Sequence, residues 1–319
     1  MKKYFKLLGN ILMLLSIVFL IVRLRKLNVN YNIIFSSTGI IAFLSFLYGI
    51  HIFFIGISWK QLLYVISGEK VCFDKAIYVW NKSNMMKYIP GNVFQYVGRN
   101  EIAIIEHLNH ADVALATILD VLINLIGVFF AVGISYFKGL GLGIGIILNN
   151  KMYLVCVCVL MCACAVIIII FRKKICPYLS KVKILFYKKN ILSTCALVVF
   201  YIFWAFYTSG IYLAVLKIIV RADIQPGSYG LIIGAYLLSW MVGFVMPGAP
   251  GGIGVRETVL TLVLAPFSSI KIDDILLAIV IYRLVNIIGD IIGLVFAFCT
   301  HKICDKKRLK TNKENEVEE

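Results

Sequence analysis

Stretch after stretch of this chain runs for the width of a lipid bilayer with few or no charges. Residues 33–57 contain no Asp, Glu, Lys or Arg, and comparable runs recur at 5–22, 111–137, 152–171, 191–219, 228–245 and 273–300. About 20 apolar residues, rising 1.5 Å each, cross a hydrocarbon layer roughly 30 Å thick. Inside that layer every backbone amide and carbonyl needs a partner within the protein, which leaves helices or a closed barrel. Barrel strands alternate apolar and polar positions over about ten residues, whereas these runs are longer and continuous. The sequence therefore predicts an all-α, polytopic membrane bundle. The composition agrees, with 61% hydrophobic and 15% charged residues and a mean hydropathy of +0.93.

A shorter apolar segment at 253–265 brings the expected crossings to about eight, with both termini on one side. The net charge of +16 does not point to nucleic acid, because the basic residues sit in short stretches between apolar runs. There they set orientation by the positive-inside rule. Arg172, Lys173, Lys174, Lys181, Lys183, Lys188 and Lys189 form one such stretch, and the tail from Lys302 to Lys313 another. Both are expected on the cytoplasmic side with Lys2 and Lys3. Arg23, Arg25 and Lys26 fall on the other side, the one departure from the rule. The first run lacks a small-residue cleavage site before those cations and reads as a retained membrane helix. Residues 1–304 are expected to form one membrane domain, with half-repeats at about 1–150 and 151–304. The polar end at 305–319 is expected to be disordered.

The nine cysteines mostly fall within apolar runs, four of them at Cys156, Cys158, Cys162 and Cys164. No His or carboxylate accompanies that cluster, so the cysteines read as reduced packing residues. No metal and no cofactor is expected.

Two interruptions stand out against the apolar background. Pro90-Gly91 precedes Arg99 in KYIPGNVFQYVGR, and Pro247-Gly248 precedes Arg256 in MPGAPGGIGVRE. Both read P-G-x7-R, about half the chain apart. Pro and Gly end helices and free backbone groups, which survive in a membrane only beside protein or a wet cavity. Paired broken segments in two halves of a membrane protein point to a transport site. Each arginine has a carboxylate close behind it, Glu101 and Glu257. Each break is followed by an apolar run carrying polar residues on one face. Asp120 and Asn124 are four apart; Arg283, Asn286 and Asp290 form a single stripe.

Two readings of these groups stand. They form structural pairs, Arg99 with Glu101 or Asp120 and Arg256 with Glu257 or Asp290. Alternatively they line a polar path for a lipid headgroup, where the planar fork of Arg suits phosphate. Gly248, Gly251, Gly252 and Gly254, with Pro250, shape the second break, and the helix that follows would turn its positive end toward an anion. The same glycines also suit close helix packing. His51 reads as a packed histidine rather than a proton relay. Trp59, Trp80, Tyr78 and Tyr88 read as an interfacial aromatic belt rather than a binding cage.

The two broken motifs resemble the signatures of the lysylphosphatidylglycerol synthase transmembrane region, also called the flippase-like domain, the membrane half of the multiple peptide resistance factor. The resemblance spans about residues 4–304, with Phe94 where the family often has Trp. It implies a bacterial plasma-membrane protein that moves anionic or aminoacylated phospholipid, or another envelope lipid, between leaflets. In the full-length members a separate soluble domain carries lysyl transfer, and no such domain is expected here. The resemblance thus favours translocation over an enzyme.

The bet residues are Arg99, Arg256 and Arg283 on phosphate, with Glu101, Glu257, Asp120 and Asp290 orienting them or meeting a cationic headgroup. Pro90, Gly91, Pro247, Gly248, Pro250, Gly251 and Gly252 shape the breaks. The expected partners are membrane phospholipids, with a separate envelope-lipid synthetase or glycosyltransferase, or a second copy of the chain, left open. The alternatives are a membrane component of a phosphatidylglycerol lysyltransferase and a scaffold for a separate enzyme.

Overall fold

A computed structural model describes residues 31–68, 70–88, 93–106, 108–136, 185, 187–245, 252, 254–265 and 270–318. Among them there is no strand. After a short turn of helix at Tyr31–Ser36 come α1 (Thr38–Ser67), α2 (Phe73–Asn84), α3 (Phe94–Ile105) and α4 (His110–Tyr136). Then follow α5 (Lys188–Ala214), α6 (Tyr229–Val245), α7 (Val255–Leu264) and α8 (Ile272–Glu318). Among the described residues four helices are long and apolar enough to cross a membrane: α1, α4, α5 with its extension to Ile219, and α8 through Arg308. The expected runs at 5–22 and 152–171, the cysteine cluster, and most of the 172–189 basic stretch lie outside the described residues.

One order of elements occurs twice. A long helix, a shorter one, a break, a second short helix and a long helix make up α1–α4, and again α5–α8. The two breaks fall where Pro90-Gly91 and Pro247 to Gly251 stand in the sequence. Those prolines and glycines themselves lie outside the described residues. Of the break residues, Gly252 is described, at φ +71°, with Gly254 close behind at +88°. Only glycine adopts that backbone freely.

The bundle is tied together by the contact of α1 with α8, the most extensive among the described elements. Small residues permit it. A Cβ on Gly289 would lie 2.8 Å from the Ser45 carbonyl oxygen, and one on Gly293 would lie 2.7 Å from Ile52. Gly289 and Gly293 are four apart on one face of α8, the spacing by which membrane helices let their backbones approach. α1 ends at Gly68, left-handed at φ +75°, whose amide donates to the Tyr64 carbonyl, a common helix stop.

At its far end α8 does not stop where the apolar pattern ends. It continues to Glu318, through the polar stretch that the sequence reads as a disordered tail. Forty-seven residues make a rod of about 70 Å, twice the hydrocarbon thickness. The start of the extension is anchored on α2. Arg308 donates to Asp74 and, at 3.0 Å, to Asp305, while His301 Nδ1 lies 3.0 Å from Asp74. The lysines beyond are good helix formers.

Candidate functional site

The two broken segments and the long helices between them enclose a cavity of about 180 Å³, an order of magnitude more than one water needs. Its wall draws on α1 (His51), the turn after α2 (Lys87, Tyr88), α3 (Arg99), α4 (Asp120, Asn124), α5 (Tyr201, Trp204), α6 (Trp240), α7 (Arg256) and α8 (Arg283, Asn286). The fold thus brings the three expected arginines to one space, with a fourth cation, Lys87. Asn124 and Asn286, placed by sequence spacing on polar faces, line it as well. Glu101 does not join them; it is exposed on the outer face of α3.

Each of the other three expected carboxylates has a resident cation. Asp120 is 5% exposed; its Oδ2 lies 3.6 Å from Arg99 Nη1. Tyr201 and Ser58 donate to its Oδ1, and Trp80 Nε1 to its Oδ2 at 3.4 Å. Asp290, 1% exposed, takes Lys87 Nζ at 2.7 Å, Asn84 Nδ2 at 3.0 Å and the Tyr88 hydroxyl. Tyr88 stands outside the four long helices. Burial first, and then the Asp290 charge, push its hydroxyl well above its ordinary range, so it stays protonated and donates. Glu257 Oε1 binds Arg283 Nη2 at 2.9 Å, and its Oε2 accepts the Gly254 amide at 2.7 Å. Arg283 also donates to the Gly252 carbonyl at 3.3 Å. The positive end of α7, expected to face an anion, is therefore capped by its own glutamate, a capping arrangement.

Of the sequence-level pairs, Arg99 with Asp120 is formed. Arg256 is not paired with Glu257 or Asp290, because Arg283 and Lys87 hold those. Among the described residues Arg256 has no carboxylate partner. The stretches 1–30 and 137–184 contain no Asp or Glu, so they supply none either. Its side chain lies against two glycines: a Cβ on Gly243 would meet Arg256 Cγ at 2.5 Å, and one on Gly252 would meet Nε at 2.8 Å. The guanidinium sits 5.9 Å from the centre of the Trp240 ring, a cation–π contact.

The aromatic belt is corrected. Trp59 is fully buried and Trp80 is 8% exposed, and their rings stand 5.7 and 5.1 Å from the Arg99 guanidinium. Their indole N–H groups have partners inside the protein, Thr117 Oγ1 at 3.1 Å for Trp59 and Asp120 for Trp80. A buried Trp needs such a partner, and here it is met in the bundle rather than at the membrane surface. Tyr78 stacks on His301, centroids 4.5 Å apart. His51 is a packed histidine as expected, 4.8 Å from Trp204, and it also lines the cavity. Sequence spacing singles out Arg99 but not Lys87, the two tryptophans beside Arg99, or Tyr201 as site residues. Nothing in local spacing marks Tyr201, which reaches Asp120 from another half of the chain.

Among the described residues one group has the donor set of a metal site: Asp74, His301 and Asp305, with ligand atoms within 4.8 Å of one another. Arg308 already binds both aspartates, so the group reads as an ion-pair clamp. No protein-family model matches the chain, and neither does any curated protein.

Proposed function

We propose that this chain is a lipid translocator of the flippase-like kind, related to the membrane half of the multiple peptide resistance factor, for an anionic or aminoacylated phospholipid or another envelope lipid. One observation carries the reading. Four cations from both broken segments and from α8 face a single cavity between apolar helices. Charges in such a place are costly unless they serve a polar substrate or an internal partner, and among the described residues Arg256 has no carboxylate to serve. A cavity of this size admits a headgroup, and the exposed apolar faces of α4 and α5, with Phe129, Phe130, Val199 and Phe203, suit lipid chains. The full bundle in this reading has about eight crossings in a bacterial plasma membrane, with both termini cytoplasmic.

The deciding experiment is a leaflet-resolved assay with purified protein in liposomes. Arg256→Ala is expected to slow translocation by one to two decades, the worth of one charge-assisted hydrogen bond, while the protein remains folded. An unchanged rate removes Arg256 from the path. Impermeant labelling of single cysteines placed at Lys188 and Lys310 tests the orientation. Reaction at either from outside intact cells overturns it.

A further inference from the structure

The cavity has more to say about the sign of its ligand than the translocator reading requires. Four cations, Lys87, Arg99, Arg256 and Arg283, meet three carboxylates, Asp120, Asp290 and Glu257, and each carboxylate is engaged by a cation other than Arg256. One positive charge is left over. Among the described residues of the wall, Arg256 Nε and Trp204 Nε1 are buried without an acceptor, and both can only donate, while Asn286 Oδ1 is a buried acceptor without a donor. Trp204 is 8% exposed, so water does not reach its indole freely. Asp120, the carboxylate on the cavity wall, has both oxygens occupied. A buried donor without an acceptor is costly, and a ligand with acceptor oxygens removes that cost at Arg256 and Trp204 together.

We infer, resting on the translocator reading, that the cavity selects a headgroup carrying a single phosphate negative charge and hydroxyls, and rejects headgroups that carry an ammonium group. Arg256 supplies the matching charge, held in place by the Gly243 and Gly252 backbones and the Trp240 ring. An ammonium headgroup brings positive charge to a wall that already holds one cation more than its carboxylates neutralise. It would have to displace a resident cation to reach a carboxylate.

The test separates selectivity from transport. Binding of phosphatidylglycerol, lysyl-phosphatidylglycerol and phosphatidylethanolamine to the full-length protein is measured by native mass spectrometry, and flipping of the same lipids is measured in liposomes. Phosphatidylglycerol is expected to bind at least tenfold more tightly than either ammonium lipid. Arg256→Gln should weaken it about ten- to a hundredfold, and Arg256→Lys should restore part of the loss. Equal or tighter binding of lysyl-phosphatidylglycerol overturns the inference, as does unchanged phosphatidylglycerol binding in a folded Arg256→Gln protein. Selective binding with no flipping of any lipid upholds the selectivity and sinks the translocator reading. Soluble glycerol phosphate that displaces phosphatidylglycerol at equal concentration overturns the assignment to a lipid.

Discussion

The two broken segments carry the same motif and treat its arginine in opposite ways. In the first, Arg99 is enclosed. Two tryptophan rings flank its guanidinium, Nε donates to Ser83 at 3.2 Å, and Asp120 faces it across 3.6 Å. In the second, Arg256 is half-buried, lies on glycine backbone beside one tryptophan, and has lost both nearby carboxylates to Arg283 and Lys87. A motif repeated in sequence has thus been divided between an arginine that faces a carboxylate and one that, among the described residues, has none. The lesson is that a buried cation's role depends on where the carboxylates are spent. Proximity in sequence says little about that.

Asp120→Ala should break this contrast most severely. It strands the Arg99 guanidinium between Trp59 and Trp80 and leaves Tyr201 without its acceptor. Loss of one partner of a buried pair costs about 3–5 kcal/mol, to be read as a fall in folded yield and thermal midpoint. Adding Arg99→Met should recover much of the loss, since an apolar replacement of the whole pair is often tolerated. No recovery would mean that Asp120 is held mainly for Ser58 and Tyr201.

A smaller effect should separate the glycines next to the two arginines. Gly243→Ala places a methyl 2.5 Å from Arg256 Cγ. Overpacking of this kind costs about 1–3 kcal/mol and should swing the guanidinium out of the cavity, lowering phosphatidylglycerol binding. Gly98→Ala meets the end of the flexible Met86 side chain, which can move aside, so stability and binding should change less. Equal losses in the two variants would show that the glycine bed under Arg256 has no special role.

The smallest stability effect is expected where the functional effect is large. Arg256→Gln removes no ion pair among the described residues, so unfolding should shift by less than about 1 kcal/mol, as for a substitution away from a buried network. A shift as large as that of Asp120→Ala would make Arg256 a scaffold charge like Arg99 and erase the distinction between the segments.

Much of the architecture was legible before any coordinates. The apolar runs set the helical class and placed α4, α6 and α8 within a few residues of their observed starts, because the cost of bare backbone in hydrocarbon leaves so few alternatives. The P-G-x7-R spacing located both interruptions, and the four-residue spacing of Asp120 and Asn124 put both on the cavity wall. The carboxylate pairing was not legible. Glu257 stands next to Arg256 in sequence, yet on a helix neighbours point in different directions; it binds Arg283, and Asp290 takes Lys87 from the far side of the other break. Nor could composition reveal that Trp59 and Trp80 lie inside the bundle, since an amphipathic indole is equally at home at an interface. Sequence by itself determined that the chain is helical, membrane-bound and interrupted twice, since those properties depend on local backbone chemistry and hydropathy. Only the tertiary structure decided which arginine is neutralised and which is left facing a cavity. That outcome depends on which helices lie side by side, and no local pattern encodes it.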